Sequence, residues 1–117
     1  MAYMLLVMEK VGERAARSES EGRTRYDRML QFSEGLKQRG LLTLSQSLKT
    51  DAASVRVTKG GERPVVRDGP FTEAKEMIGG FLMLTCESRE QAIGIARDCP
   101  AAEWATVEVR ELGPCFQ

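Results

Sequence analysis

No histidine occurs anywhere in the chain, so the commonest metal ligand and the commonest general base are missing together. Charge of one sign is also missing: 17 basic residues face 17 acidic ones and the formal net charge is zero. Such a chain has no overall field to draw in a phosphate backbone or an anionic membrane, and neither nucleic acid nor membrane is expected as a partner. The apolar opening, residues 1–8, is far too short to span a bilayer. It lacks the basic lead and small-residue cleavage site of a secretory signal, so the expected compartment is the cytoplasm, with thiols reduced. Cys86, Cys99 and Cys115 are odd in number and widely spaced, suggesting neither a disulfide framework nor a zinc site. Walker loop, dinucleotide fingerprint and zinc-protease helix are absent, and no repeat or low-complexity segment marks a second domain.

What is present is ordinary globular composition, 42% hydrophobic and 29% charged over 117 residues, which predicts one core. Residues 2–8 read as a buried strand ended by Glu9 and Lys10. Ser18-x-x-Glu21 is a capping box, and Tyr26, Met29, Leu30, Phe32 and Leu36 share one helical face until Gly40 supplies a stop, giving a helix over 19–39. Leu42, Leu44, Gln46 and Leu48 alternate with Thr43, Ser45 and Ser47, predicting a strand with one buried face. Residues 55–58 and 63–66 flank Gly60-Gly61 as a hairpin whose glycines take positive φ, with Pro64 at an edge. Thr72–Glu76 reads as one helical turn, after which Gly79-Gly80 restarts extended chain into an apolar central strand over 81–86. Ser88-x-x-Gln91 opens a second helix that Pro100 closes, and Ala105, Val107 and Val109 form the inner face of a last strand.

This order is α+β, a ferredoxin-like sandwich of residues 1–112 with an inserted β-hairpin, followed by a tail at 113–117. Two helices cover only one face of such a sheet, yet the first strand sets Tyr3, Leu5 and Val7 against Met4, Leu6 and Met8, and the central strand is apolar on both sides too. About five such side chains left in water would forfeit on the order of 10 kcal/mol, as much as a whole domain's stability. A homodimer that packs two sheets about a two-fold axis is therefore expected, against the alternative of a monomer whose loops 9–18 and 68–79 fold over the face.

Chemistry is hardest to place. Residues 66–81 carry Asp68, Glu73, Lys75 and Glu76 beside a central strand, and Asp68 is the candidate acid or base if its turn buries it. The competing role for Asp68 is an Asx-type turn, with Gly69 supplying an unusual backbone angle. Lys75 is expected to pair with Glu73 or Glu76. Tyr3, Tyr26, Phe32 and Trp104 could wall a small-molecule cleft or simply pack the core. Cys86 and Cys99 look like buried small hydrophobes. Arginines 14, 17, 23, 25 and 28, interleaved with acids, read as a solvated helix face.

With Asp68-Gly69-Pro70-Phe71, then Glu73, Lys75-Glu76, Gly79-Gly80-Phe81 and Val107-Glu108-Val109-Arg110, the chain resembles the DGPF group of the YciI-like (YCII-related) family over most of residues 1–112. The resemblance implies a ferredoxin-like dimeric α/β barrel. It also implies enzymes whose proposed centre is a His–Asp pair, with a dehydrochlorinase among the relatives; lacking histidine, this chain cannot carry that pair. It implies Asp68, Gly69, Pro70 and Phe71 as site-forming, with Lys75 and Glu76 beside them. A setting near sigma-factor genes is implied for some members, without DNA contact by the domain. The expected function is that of a lyase or hydrolase needing no cofactor, with Asp68 moving a proton on a small organic molecule. The alternatives are a non-catalytic ligand-binding or regulatory module and a cofactor-free monooxygenase.

Overall fold

The computed structural model describes residues 2–116. Strand β1 (Ala2–Lys10) leads through a short helix α1 (Glu13–Ala16) into the long helix α2 (Glu19–Gln38). Strand β2 (Leu42–Ser47) follows, then a hairpin of β3 (Val55–Thr58) and β4 (Val65–Asp68), strand β5 (Glu76–Thr85), helix α3 (Arg89–Asp98) and strand β6 (Thr106–Glu111). Four strands make one antiparallel sheet in the order β2-β5-β1-β6, the ferredoxin-like arrangement expected, and β3-β4 stands apart as a two-stranded sheet. Among the described residues no helix is long and apolar enough to cross a membrane.

Local chemistry sets the helix ends. The Ser18 hydroxyl accepts the Glu21 N–H at 3.1 Å and the Ser88 hydroxyl accepts that of Gln91 at 3.1 Å, each satisfying an orphan donor of a first turn. At the far end of α2, Gly40 takes φ 72°, and the N–H groups of Leu41 and Gly40 close on the carbonyls of Leu36 and Lys37, both at 3.0 Å. That double closure is a Schellman cap, and glycine is the residue that enters the left-handed region without a Cβ penalty.

The core lies between the sheet and the helices. Tyr3, Leu5 and Val7 from β1 and Leu82 and Leu84 from β5 meet Leu36, Ala92, Ile95, Ala96 and Cys99. The opposite face carries Met4, Leu6, Phe81 and Met83 in register, joined by Leu44, which is 44% exposed. No helix covers that face. The hairpin projects as an arm: Val55, Val57, Val65 and Val66 are all exposed, and the radius of gyration is 16.0 Å where about 13 Å suits a chain of this length.

Several expectations are corrected. β1 runs on through Glu9 and Lys10 instead of stopping at residue 8, because Glu9 and Lys10 pair with Met77 and Glu76 of a longer β5. Gly79 and Gly80 consequently lie inside β5. Gly60 and Gly61 lack positive φ, since residues 59–64 make a wide connection that needs no two-residue turn. Thr72–Glu76 is no helical turn: a single bond from Ala74 N–H to the Phe71 carbonyl at 3.0 Å closes a tight turn, and the strand begins at Glu76. A register shift between Leu42 and Leu44 sends Leu44 to the outer face and leaves Ser45 and Ser47 pointing inward.

Candidate functional site

Helix α2 buries only Leu36, near its C-terminal end. Towards its N-terminal end the sheet beneath offers small groups, Ser45, Ser47, Gly79 and Gly80, which cannot fill the gap between helix and sheet. The result is a cleft of about 500 Å³, walled on one side by Tyr26, Met29, Leu30 and Trp104 and floored by Val7 and Leu82. A volume of that order is ordinary for a small-molecule site.

The lining includes the one buried charged residue among those described, Glu9, 5% exposed. Its alternation with Tyr3, Leu5 and Val7 turns it inward, where Arg14 of α1 grips both oxygens, at 3.0 Å from Nε and 2.5 Å from Nη2. Arg14 also donates to the Leu48 carbonyl at 2.7 Å and the Gly79 carbonyl at 3.1 Å, so α1 is tied to β5 and to the residue that follows β2 through one side chain. The Glu9 hydrogen bond raises the Arg14 pKa above its ordinary value, against the opposing effect of burial. Glycine at 79 leaves the Glu9–Arg14 pair its room, because a Cβ there would collide with the Glu9 carboxylate and force the pair to shift.

Two more arginines line the cleft. Arg17 lies across Gly22, where an added Cβ would come within 3.3 Å of its Nε. A side chain at 22 would make Arg17 give by a few tenths of an ångström, and a glycine inside a helix costs roughly 0.5–1 kcal/mol relative to alanine. Arg25 stacks over Trp104 at 5.0 Å and bonds Glu13 and Glu21 at 2.6 and 2.7 Å, Glu13 being the main cause of its raised pKa. Arg28 stacks on the same ring at 5.4 Å and pairs with Glu103, whose carboxyl it holds below the usual range.

The residues singled out from sequence fall into separate places. Tyr26 lines the cleft, half exposed at its mouth. Tyr3 is a core residue, 2% exposed, and burial raises its pKa with Glu111 adding to the effect. Asp68, Gly69, Pro70 and Phe71 gather at the base of the arm. Asp68 is exposed and forms no Asx turn; the carboxylate that fastens the backbone there is Asp51, which accepts the Phe71 N–H at 3.1 Å across the root of the arm. Gly69 is needed for close approach rather than for its backbone angle: a Cβ would collide with the Asp51 carbonyl. Phe71 is buried at 3% exposure, with the Arg56 guanidinium 3.8 Å from its ring centroid and that of Arg67 at 5.1 Å. Glu73 pairs with Arg67 and Arg56, not with Lys75; Lys75 and Glu76 are exposed. None of this arm segment lines the cleft.

The model of the YCII-related domain matches residues 1–115. The chain belongs to the YCII-related family. An uncharacterized protein of Rhizobium meliloti (strain 1021) is 42% identical over 65 residues, covering 54% of this chain and 51% of that protein. The chain thus spans about half the length of the curated relative it matches. Among solved structures, the 5-chloro-2-hydroxyhydroquinone dehydrochlorinase (TftG) from Burkholderia phenoliruptrix AC1100, in complex with 2,5-dihydroxybenzoquinone, superposes with a TM-score of 0.56. The identity is 16%, and the match covers 97% of this chain and 94% of that one, so the likeness is one of fold.

Reading this YCII-related sequence alone misses Glu9, Arg14, Arg17 and Arg25, because interleaved signs look like a solvated surface. The usable signals were the inward phase of Glu9 on β1 and the glycines at 22 and 79. The cysteines give a prediction. Burial pushes the Cys99 thiol pKa up, Cys86 is buried, and Cys115 is exposed. A raised thiol pKa means less thiolate at a given pH, so iodoacetamide on the native protein should label Cys115 and spare the other two until denaturant is added. Mass mapping of the alkylated peptides reads this directly; Cys99 labelled at the rate of Cys115 would contradict it.

Proposed function

We propose that this YCII-related chain is a cytoplasmic enzyme of the lyase or hydrolase kind that needs no cofactor and works on a small organic molecule as a homodimer. The observation that carries the reading is the cleft under α2, which joins an apolar aromatic wall to convergent arginines and a buried carboxylate. The dehydrochlorinase that shares the fold, with a quinone in its complex, supports it by analogy. The apolar sheet face that no helix covers, with Met4, Phe81 and Met83 half-buried and Leu44 exposed, supports the homodimer.

Asp68 is the proposed acid or base. Among the described residues Glu9 is the only carboxylate lining the cleft, and Arg14 engages both its oxygens. A proton acceptor must therefore come from outside. The Asp68 side chain makes no hydrogen bond or ion pair among the described residues, and it rides at the base of a projecting arm. An arm from the second copy is the route by which it reaches a cleft and loses its water. Turnover of a substrate found by thermal-shift screening should fall about 100-fold or more in Asp68→Asn while the protein stays folded and dimeric. Unchanged turnover would remove Asp68 from the chemistry.

A second reading, a non-catalytic binding or regulatory module attached to a sigma-factor system, is favoured by that same lack of a free base in the cleft. A compound that raises the Tm in proportion to its concentration and is never consumed would decide for it.

A further inference from the structure

We propose that the cleft binds a small aromatic carboxylate through Arg17 and Arg25, and that Glu13, which reaches the same two arginines without itself lining the cleft, competes with it. The inference rests on the reading that this cleft is the ligand site. Glu13 accepts from Arg25 Nη1 at 2.6 Å through one oxygen and from Arg17 Nη1 at 3.4 Å through the other. Two guanidiniums thus converge on one carboxylate, each through a single nitrogen, as charge-assisted hydrogen bonds. Both arginines line the cleft with side chains only 18% and 19% exposed, so a charge placed between them is partly shielded from water and salt.

Next to this pair the wall is apolar. Trp104 lies under Arg25, with Met29, Leu82 and Tyr26 lining the same cavity. A ring bearing a carboxylate would satisfy both parts at once, its anion between the guanidiniums and its face against the apolar wall.

Glu13 is built to be displaced. It stands on α1, which buries no side chain and has no side-chain cap. That helix is anchored through Arg14 to Glu9 and to the carbonyls of Leu48 and Gly79, so the Glu13 side chain can swing to solvent while α1 stays where it is. Arg25 keeps its bond to Glu21 meanwhile. The acid therefore acts as a competitor that weakens, and makes selective, the binding of anions.

The test uses the full chain, benzoate as probe and benzamide as its neutral counterpart, with titration calorimetry and the fluorescence of Trp104, the single tryptophan. Benzoate should bind and change the Trp104 emission, with benzamide at least about tenfold weaker, the scale of one charge-assisted hydrogen bond. Glu13→Gln should tighten benzoate binding by about tenfold and leave benzamide unmoved. Arg17→Gln, at a side chain that adds nothing to the core, should weaken benzoate by a similar factor and supplies an independent arm if Glu13→Gln fails to fold. Equal binding of the two probes with a Trp104 response would overturn the carboxylate subsite and leave the cleft reading standing. Silence from both would overturn both. Benzoate binding unchanged or weakened in a folded Glu13→Gln protein would overturn the role given to Glu13.

Discussion

Arg14→Met is expected to lower the free energy of unfolding by about 3 kcal/mol, the lower end of the cost of breaking a buried ion pair. The loss is large because of the groups left behind. Glu9, at 5% exposure, would be left with neither oxygen bonded, and the Leu48 and Gly79 carbonyls would each lose a donor. The lower end applies because the Arg14 side chain is itself 23% exposed and water reaches one side of the pair. Urea denaturation followed by circular dichroism measures the difference. The double variant Glu9→Met/Arg14→Met should recover most of the loss, since two apolar side chains of similar length leave no orphaned charge. A single-variant loss under about 1 kcal/mol would place Glu9 in contact with solvent and remove the buried ion pair from the cleft.

Met83→Glu should convert the proposed homodimer into a folded monomer. Met83 stands on the outer face of β5 between Met4 and Leu44, remote from the core that Leu82 and Leu84 build on the other side of the same strand. A two-fold interface repeats every change, so two carboxylates would be desolvated for one substitution. At about 3 kcal/mol each, the dissociation constant rises on the order of 10,000-fold. Multi-angle light scattering at micromolar concentration reads the change, and circular dichroism reports whether the protomer persists. A wild-type protein already monomeric there would sink the homodimer, and with it the delivery of Asp68 by a second copy.

The elements were legible where short-range chemistry decides them. Ser18 and Ser88 announced the helix starts, Gly40 the stop, and the two-sided apolar pattern of 81–84 the central strand. The cleft was not legible, because it arises from what fails to touch: α2 stands off a sheet whose inward groups at that end are serine and glycine. A helical face with Arg17 and Arg25 among acids carries the same letters whether it meets water or a cavity. Asp68 stood out because a carboxylate in a glycine-proline turn is conspicuous, while Glu9 hid at a strand end. Gly79 looked like a break in the chain because a glycine pair in sequence does not reveal that a carboxylate will press against one of its members.

The base of the arm has a consequence of its own. Gly69 packs against the Asp51 carbonyl, its N–H bonds the Ser54 carbonyl at 2.8 Å, and the Phe71 N–H bonds Asp51. Those fastenings lie at the root, whereas residues 59–64 at the tip are all exposed. Orientation is fixed at the root and length is not, so the tip is a place where a peptide epitope or an optical label can be grafted while the sheet keeps its register. A probe mounted there would travel with the arm and report on whatever surface the arm approaches.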